Sequence, residues 1–560
     1  MDRKILFILL LPTFAFAQLS SNIQSLSREF WDWRTITQPS TMDDIQRVER
    51  PDNWKPDFSP EALIRTNELY NSFSKRLKEL DRTGWSRTDS VDFLCLRSAV
   101  ERVNWEINVL RIPFTNPDFY IQQTLGALYE RLVVPESFSP VRVNNLISIL
   151  ESFPENLSSA RKNLSDPSAQ FALIALENLK DIGNKLIRVK EEIKKQTDNK
   201  FDLGLEKSFS GAISALENYR KWLNEKLPAM KDRANIGREA YSYFLQNVAL
   251  IPFSPEKILE YGRMEFNRSA LFESLEKSKN KNKPAPKIFN TIEEEIKQVE
   301  LDENAIREFL VKNEIMTVPE WLKHYTFRKT PGYLAPLTFI GEADDFTSEM
   351  RLNQNAVRYT VEPDTNLPFF PLSIARDPRP IIVHEGIPGH YFQLAISWKN
   401  PDPVRRRFVD SGSNEGIGFY VEELLLQSGL FDERPYAKEI IYSFMRLRAL
   451  RVEADIQLAL GNFTIDEAAD YLAKSVPLDK SSAVESAYFY AYNPGQAISY
   501  QIGKIQLVQF LSDAKIKLGT KFSLKDFHDY LMLNGNVPIS LLRWEYLGLR
   551  DEINYFFENQ

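Results

Sequence analysis

Residues 383–391 read Val-His-Glu-Gly-Ile-Pro-Gly-His-Tyr. This stretch predicts a kinked helix with a metal site, and the neighbouring elements are predicted from what that site requires. The stretch holds His384 and His390, two of the four histidines of the chain, with Glu385 directly after the first. On a regular helix, residues six apart point roughly 240° away from each other. The Pro-Gly pair before His390 interrupts the helical hydrogen bonds and permits a bulge, which swings His390 back beside His384. We therefore predict a kink that gives both imidazoles to one metal ion.

A third ligand is expected from the segment 411–426, which starts with small polar residues and continues with apolar residues at helical spacing. A catalytic zinc site usually has three protein ligands and one open position. Glu415 lies in the first turn of this predicted helix and is the preferred third ligand. Glu422 and Glu423 are alternatives, and Asp410 is a weaker one.

These residues predict a zinc (Zn²⁺) site. His384, His390 and Glu415 are the candidate metal ligands, and Glu385 remains as the base that takes a proton from metal-bound water. A single histidine or a single Pro-Gly pair would more often be an ordinary polar residue or a turn. The combination of all these residues favours the metal site.

Apolar residues at helical spacing recur along most of the chain and predict a mainly α fold. In the segment 61–82, for example, Tyr70, Phe73, Leu77 and Leu80 follow each other at steps of three, four and three. Similar patterns occur around 95–111, 143–153, 169–194, 207–226, 256–276, 291–312, 436–460, 466–474, 496–514 and 539–558. We expect a large multi-helix fold with a deep cleft.

The helical pattern of apolar residues stops before the metal motif. The pieces 334–341 and 357–362 are short and β-prone, and a proline-rich stretch, 364–380, follows them. This predicts a small β-sheet beside the metal-binding helix. An edge strand of such a sheet can hold an extended peptide by main-chain hydrogen bonds.

The chain divides into three predicted regions. Residues 1–17 have a charged start, an apolar stretch and a small-residue site before Gln18, as a cleavable signal peptide does. The lysine- and proline-rich stretch 277–287 is typical of a linker and separates an N-terminal helical region, 18–287, from a C-terminal catalytic region, 288–560. No lipid-attachment cysteine stands at the cut, since the single cysteine is Cys95. We expect a periplasmic or secreted protein.

Composition limits the partners. The 560 residues carry 70 Lys and Arg against 77 Asp and Glu, a formal net charge of −7, which argues against nucleic-acid binding. No later segment resembles a membrane span. We expect a soluble protein that binds neither nucleic acid nor a membrane interior, and the sequence leaves its oligomeric state open.

The motifs resemble a known family. The chain is similar to the bacterial family catalogued as domain of unknown function 885, which is grouped with the gluzincin metallopeptidases. The resemblance rests on the stretches 384–390, 415–422, 493–503 and 527–538, with weaker similarity at 54–60 and 80–85.

The resemblance implies a mostly helical zinc peptidase in which His384, His390 and Glu415 bind the metal and Glu385 activates water. The chain also departs from the family pattern at four positions. The family usually has a histidine and a tryptophan at the first two of these, and often a histidine and an arginine at the others: Tyr391, Ile417, Ala459 and Phe489. These departures put the substrate specificity in doubt and leave every candidate ligand in place.

Peptide hydrolysis also needs donors that stabilise the oxyanion. Tyr500 and Gln496 are the candidates, because residues four apart share a helical face, and Tyr492 is a substitute. Tyr500 is about as well explained as a packed core aromatic. The remaining histidines, His324 and His528, are weaker candidates, and His528 is expected to pack or to cap a helix. A positive group that holds a substrate carboxylate is sought among Arg446, Arg448 and Arg451.

The sequence favours an exported zinc metallopeptidase that acts on short peptides. One alternative is a catalytically silent protein that keeps the zinc scaffold and binds peptides or envelope components. Another is a zinc amidohydrolase acting on non-peptide amides. The presence of Glu385 favours an enzyme, since a purely structural metal site has no use for a base beside its ligand.

Overall fold

The computed structural model describes residues 11–41, 48–284, 286–341, 344–345, 349–476 and 478–558. Of the predicted signal peptide, residues 1–10 lie outside the described residues, and residues 11–17 form the start of the first helix. Within the described residues, no helix is both long enough and apolar enough to cross a membrane.

The molecule is mainly α-helical, as predicted. The α-helices of the described residues are α1 Leu11–Thr37, α2 Pro60–Lys78, α3 Arg87–Asn104, α4 Ile112–Thr115, α5 Phe119–Ile121, α6 Ala127–Leu132, α7 Pro140–Asn163, α8 Ala169–Asn178, α9 Ile182–Lys194, α10 Asp202–Lys226, α11 Gly237–Tyr243, α12 Pro255–Asn280, α13 Ile292–Lys312, α14 Phe369–Arg376, α15 Arg379–Ile381, α16 His390–Lys399, α17 Pro403–Arg407, α18 Ser411–Gln427, α19 Tyr436–Leu460, α20 Ile465–Ser475, α21 Lys480–Tyr492, α22 Ser499–Leu518, α23 Leu524–Leu533, α24 Ile539–Leu547 and α25 Tyr555–Glu558.

Within the ranges given above, four π-helical segments interrupt or extend this pattern: Trp105–Val109, Gln122–Gly126, Phe244–Val248 and Ile382–Gly386. Short 3₁₀ turns cover Asn199–Phe201, Leu227–Ala229, Ala335–Leu337, Glu349–Leu352 and Gly519–Lys521.

Local sequence explains where the helices near the site begin and end. Asp410 caps α18, its side chain accepting a hydrogen bond from the backbone N–H of Ser413. Helix α19 ends at Gly461, which has φ +80° and so takes the left-handed conformation that a glycine adopts at little cost. Helix α12 continues to Asn280, so the first four residues of the predicted linker are helical, and Lys277 pairs with Glu273 one turn earlier.

A three-stranded sheet consists of β1 Tyr325–Lys329, β2 Asp344–Asp345 and β3 Ala356–Thr360, in the order β1-β3-β2. Strand β1 pairs parallel to β3, and β2 pairs antiparallel to it. The small sheet before the metal motif is thus confirmed, and β3 overlaps the predicted piece 357–362.

The predicted strand at 334–341 is wrong. A 3₁₀ turn, Ala335–Leu337, occupies this stretch instead. Pro336 suits the start of a helical turn, and Leu334, Leu337 and Ile340, which are buried together, follow each other at the three-residue steps of a helical turn.

Two large hydrophobic clusters lie in the described residues. One joins α7, α9 and α10 with Tyr333, Leu334 and the inner face of β3. The other joins α1, α3 and α13 with α16, α18, α22 and α24, so it contains residues from both sides of position 287. Helix α12 packs closely on α19, where an added Cβ at Gly262 would lie 2.9 Å from Val452. The division at 287 stays a prediction about the sequence, while this packing connects the two regions.

Candidate metal centre

Between Ile382 and His390 the chain leaves regular helical geometry. The π-helical turn ends at Gly386, Ile387 is extended with φ −126° and ψ 125°, and α16 begins at His390. The Ile387–Pro388 peptide bond is cis. The ring centroids of His384 and His390 are 4.7 Å apart. The two imidazoles are therefore close enough to bind the same metal ion.

Glycines make room for this arrangement. An added Cβ at Gly389 would lie 1.7 Å from the carbonyl oxygen of His384. An added Cβ at Gly418, on α18, would lie 2.9 Å from Cε1 of both His384 and His390. Only a residue without a side chain fits at either position unless the rings or the backbone move.

Helix α18 brings Glu415 to the two histidines. Its Oε2 lies 3.4 Å from Nε2 of His384 and 3.4 Å from Nε2 of His390. The three residues are buried, and one possible ligand atom from each lies within 4.8 Å of the others. In the part of the chain that the structure describes, this is the one such group of three metal-ligating side chains.

The donor set fits a divalent metal ion. Ligands about 2.0–2.2 Å from a tetrahedral zinc lie about 3.3–3.6 Å from each other, and the two distances of 3.4 Å agree with this. Oε2 of Glu415 is buried, and no hydrogen-bond donor of the described residues satisfies it. Three carboxylates, Glu385, Glu415 and Glu422, surround the histidines together with one guanidinium, Arg448. Two negative charges remain, which a divalent cation would balance.

The electrostatics of the cluster favour positive charge. Burial and the Arg448 guanidinium oppose protonation of His384, but Glu415 and Glu422 outweigh them and raise its pKa to about 9. Burial likewise opposes ionisation of Glu415, but the positive charges of His390 and His384 hold its pKa well below the ordinary value. Metal binding would therefore displace a proton from His384.

Glu422 and Arg448 fix the orientation of His384. The Nδ1 atom of His384 lies 2.7 Å from Oε1 of Glu422. Arg448 in turn donates to Oε2 of Glu422 at 3.0 Å, and its Nη1 lies 2.9 Å from Oε1. Its Nη2 is nearly equidistant from both ring nitrogens of His384, at 3.3 and 3.4 Å, so the guanidinium lies against the ring. With Nδ1 facing Glu422, Nε2 is left to face Glu415.

Glu385 differs from the other two carboxylates of the cluster in its exposure. Its Oε2 lies 3.9 Å from Nε2 of His390, and its side chain is 20% exposed. The side chains of Glu415 and Glu422 are 6% and 0% exposed. Glu385 is therefore the carboxylate of this group that reaches solvent. Strand β1 packs directly behind the same turn, where an added Cβ at Gly386 would lie 2.5 Å from the Tyr325 ring.

Tyr500 lies on α22 beside the histidine cluster, whereas Gln496 lies in the turn before that helix. The ring of Tyr500 lies 6.4 Å from that of His384 and nearly parallel to it, at 9°. Gln496 precedes α22, which begins at Ser499, so the prediction that it shares a helical face with Tyr500 is wrong. Pro494 lies just before this turn and cannot donate to a helical ladder. The Gln496 side chain lines a small cavity of about 30 Å³, together with Tyr492.

The other candidate histidines lie outside the cluster. His528 is buried, with Nδ1 2.8 Å from the carbonyl oxygen of Ile315 and Nε2 2.9 Å from the Tyr420 hydroxyl, so it packs as predicted. His324 pairs with Glu303, its Nδ1 2.8 Å from the carboxylate.

Of the candidate arginines, Arg446 pairs with Glu273 and Arg448 with Glu422. Arg451 lies 5.2 Å from the centroid of the Tyr500 ring. Arg448 is one of three candidates for holding a substrate carboxylate, and in the structure it pairs with Glu422. Arg448 lies 26 residues after Glu422, on the next helix. No regular sequence spacing relates residues on two different helices, so the sequence could not predict this pair.

A second buried charge cluster was not foreseen. Lys504, 2% exposed at its side chain, lies 2.9 Å from Glu265 and 2.7 Å from Glu423. Arg268 pairs with the same two carboxylates. Glu423, an alternative ligand in the sequence analysis, is thus engaged with cations away from the histidines. The sequence sign of this cluster is that Lys504 is the one charged residue between Gln496 and Ser512.

The fold and this cluster define a mainly α-helical protein with a buried His-His-Glu site. The family model of bacterial proteins of unknown function known as DUF885 matches residues 44–323 and 375–545. The chain belongs to this family.

Two solved structures share the fold. One is a candidate lipoprotein of unknown function from Shewanella oneidensis, with a TM-score of 0.70 and 17% identity, covering 95% of this chain and 99% of that one. The other is a candidate lipoprotein from Colwellia psychrerythraea, with a TM-score of 0.75 and 17% identity, covering 97% of this chain and 99% of that one. A comparison with curated proteins finds no match.

Proposed function

We propose that the protein is an exported zinc-dependent metallopeptidase that hydrolyses short peptides. His384, His390 and Glu415 would hold Zn²⁺, and Glu385 would be the general base. The observation that carries the proposal is the position of Glu385, which stands beside a ligand histidine and is open to solvent. The resemblance to the gluzincin metallopeptidases agrees with this assignment of roles.

Each residue has a defined task in this proposal. When bound, zinc would polarise the peptide carbonyl and lower the pKa of a water molecule. Glu385 takes a proton from the attacking water and passes it to the leaving amine. Glu422 and Arg448 keep His384 in the orientation in which Nε2 faces Glu415.

Tyr500 is the proposed donor to the oxyanion. Its ring lies beside that of His384 and nearly parallel to it, and the residue is half-buried, so it is close to the cluster without being sealed in the core. Gln496 stays a candidate for the same role and would have to act from the turn before α22.

The proposal is tested by comparing three proteins on a mixed peptide library. Zinc-loaded wild-type protein is expected to cleave a subset of peptides, and Glu385→Gln is expected to lower the rate by about 10²–10⁴-fold while zinc stays bound. Glu362→Gln is the matched control, because Glu362 is an exposed glutamate paired with Lys329. It should cleave like the wild type. Mass spectrometry of the products and metal analysis of each protein give the two readouts.

Other outcomes assign other functions. Zinc binding without cleavage of any peptide would support the catalytically silent binding protein. Cleavage confined to non-peptide amides added to the library would support the amidohydrolase. Unchanged cleavage by Glu385→Gln would contradict the proposed mechanism. Three of the four positions that depart from the family pattern, Tyr391, Ile417 and Ala459, are buried, which favours a packing role for them over a change in the substrate pocket.

The proposed location is the cell envelope or the exterior. The start of the sequence reads as an export signal, and both structural neighbours are described as candidate lipoproteins. Fractionation of cells expressing the full chain tests this, with a periplasmic or secreted fraction as the expected place.

A further inference from the structure

A cavity of about 320 Å³ opens at the start of α18, and we refer to it as the α18 cavity. Its buried wall is mostly apolar and comes from α1, α3, α16, the π-helical segment Phe244–Val248 and the residue two positions before the α18 cap: Phe30, Trp31, Ala99, Val248, Trp398 and Phe408. A space of this size is at the small end of ligand pockets. It has room for one large side chain and not for a folded partner.

The α18 cavity and the proposed metal site share helix α18. Ser411 lines the cavity, and Glu415 follows one helical turn later on the same face of α18, about 6 Å along the axis. Trp398, which also lines the cavity, is on α16, about 12 Å along the axis from His390, with which that helix starts. One residue of an extended peptide spans about 3.3–3.6 Å. A peptide with its scissile carbonyl at the metal site would therefore bring a side chain one or two residues away to the cavity.

The cations of the wall face carboxylates. Arg34 donates two hydrogen bonds to Glu106, at 3.1 and 3.2 Å. Burial raises the pKa of the Asp410 carboxyl to about 7, and the charge of the neighbouring Arg102 partly opposes this. Each of these two cations thus has a carboxylate as a neighbour.

Negative charge gathers at the exposed edge of the α18 cavity. Asp32, Glu49 and Glu349 line it and are exposed. Among the described residues that line the cavity, Arg407 lies 3.9 Å from Asp32 and compensates part of this charge. An acidic side chain would meet repulsion at the edge and apolar surface inside.

We propose that the α18 cavity is a specificity pocket that binds a large uncharged apolar side chain, aromatic or branched aliphatic, of the peptide substrate. The choice of a peptide as the ligand rests on the proposed peptidase function. The pocket selects substrates with one bulky apolar residue close to the scissile bond and rejects acidic residues at that position.

The test measures binding, so that it does not depend on cleavage. Zinc-loaded Glu385→Gln protein is titrated with Ala-Ala-Ala and with the three tripeptides that carry one Phe. At least one Phe peptide should bind about tenfold or more tightly than Ala-Ala-Ala, because burying an aromatic side chain is favourable. The corresponding Asp peptide should bind more weakly than Ala-Ala-Ala.

Filling the cavity should remove this preference. Ala99→Phe, made in the Glu385→Gln background, should abolish the preference for Phe and leave binding of Ala-Ala-Ala within about twofold, while Ala99→Ser should keep the preference. If Ala99→Phe does not fold, Val248→Phe fills the same space from another segment. Equal binding of all four peptides, or a Phe preference that survives filling in a folded variant, overturns the pocket. If Phe peptides bind preferentially but the wild type cleaves no peptide, the pocket is supported and the peptidase function is overturned. If the wild type cleaves peptides but shows no preference for Phe, the peptidase function is supported and the pocket is overturned.

Discussion

Glu422 and Glu423, adjacent on α18, belong to two different buried charge clusters. The clusters differ in their balance of positive and negative charge. Glu423 joins Lys504, Glu265 and Arg268, where two cations meet two carboxylates. Glu422 joins the histidine cluster, where one guanidinium meets three carboxylates. The first cluster is electrically complete with protein groups alone, and the second lacks two positive charges.

The pKa values follow this difference. Burial opposes ionisation of Glu423, but Arg268 and Lys504 overcome it and lower its pKa to about 2. In the histidine cluster, burial and Arg448 oppose protonation of His384, but Glu415 and Glu422 outweigh them and raise its pKa to about 9, so the protonated imidazole supplies part of the missing positive charge. A complete cluster stabilises the fold, whereas an incomplete one is a place for a cation. This contrast leads to four predictions.

The largest effect is expected from Glu415→Gln. The amide cannot supply the anionic ligand, so metal affinity should fall by more than the 10–100-fold that is typical when a residue that only orients a ligand is lost. Glu423→Gln, the matched change in the complete cluster, should retain zinc. Metal content after dialysis, measured by plasma mass spectrometry, distinguishes the two. Equal zinc retention by both variants would contradict the assignment of Glu415.

Lys504→Met is expected to have the next largest effect, on stability. It leaves Glu265 and Glu423 with one cation fewer, and breaking a buried ion pair costs about 3–5 kcal/mol of unfolding free energy. Zinc binding should be unaffected. Lys525→Met, which removes an exposed lysine paired with Asp529, is the control and should leave the denaturation midpoint unchanged. A wild-type midpoint for Lys504→Met would show that the cluster adds nothing to the fold.

Glu422→Gln should weaken zinc binding by about 10–100-fold, because the group that fixes the His384 tautomer loses its charge. Arg448→Lys should weaken it less, since lysine keeps the positive charge beside Glu422. Competition with a chromogenic chelator gives the affinities, and ¹⁵N NMR of the imidazole reports whether Nδ1 carries the proton. Affinities and spectra like those of the wild type would show that Glu422 and Arg448 only pack.

The smallest expected effect is on the pH dependence of stability, and it comes from the contact between His528 and Tyr420 of α18. Burial lowers the pKa of His528, which contacts Tyr420 of α18, to about 4. The unfolded chain, with a histidine pKa near 6.5, binds this proton more readily, so stability falls as the pH drops from about 6.5 towards 4. Between pH 7 and pH 5.5 the loss is about 1 kcal/mol. His528→Gln should reduce the pH dependence of urea denaturation by this amount, and an unchanged slope would contradict it.

Local periodicity and motif spacing predict much of the fold. Helices with strong apolar stripes, such as α2 and α13, lie close to their predicted positions. The Pro-Gly interruption also predicts that His384 and His390 come together. These features depend on residues near each other in the sequence, so the sequence shows them directly.

What the sequence could not show depends on long-range contacts. Leu334–Gly341 has β-prone composition, but packing against the helical cluster made it a turn. The role of Arg448 appears only when α18 and α19 are placed side by side. The turn before α22 separates Gln496 from Tyr500, although their spacing suits a helix.

The crossing of α18 and α22 has a consequence for motion. An added Cβ at Gly503 would lie 1.9 Å from the carbonyl oxygen of Gly412, so the two backbones touch with no side chain between them. Glu415 follows this contact on one helix, and Tyr500 precedes it by one turn on the other. Sliding of either helix would separate backbones that are already in contact, so thermal fluctuations should displace the carboxylate and the phenol together and preserve their separation.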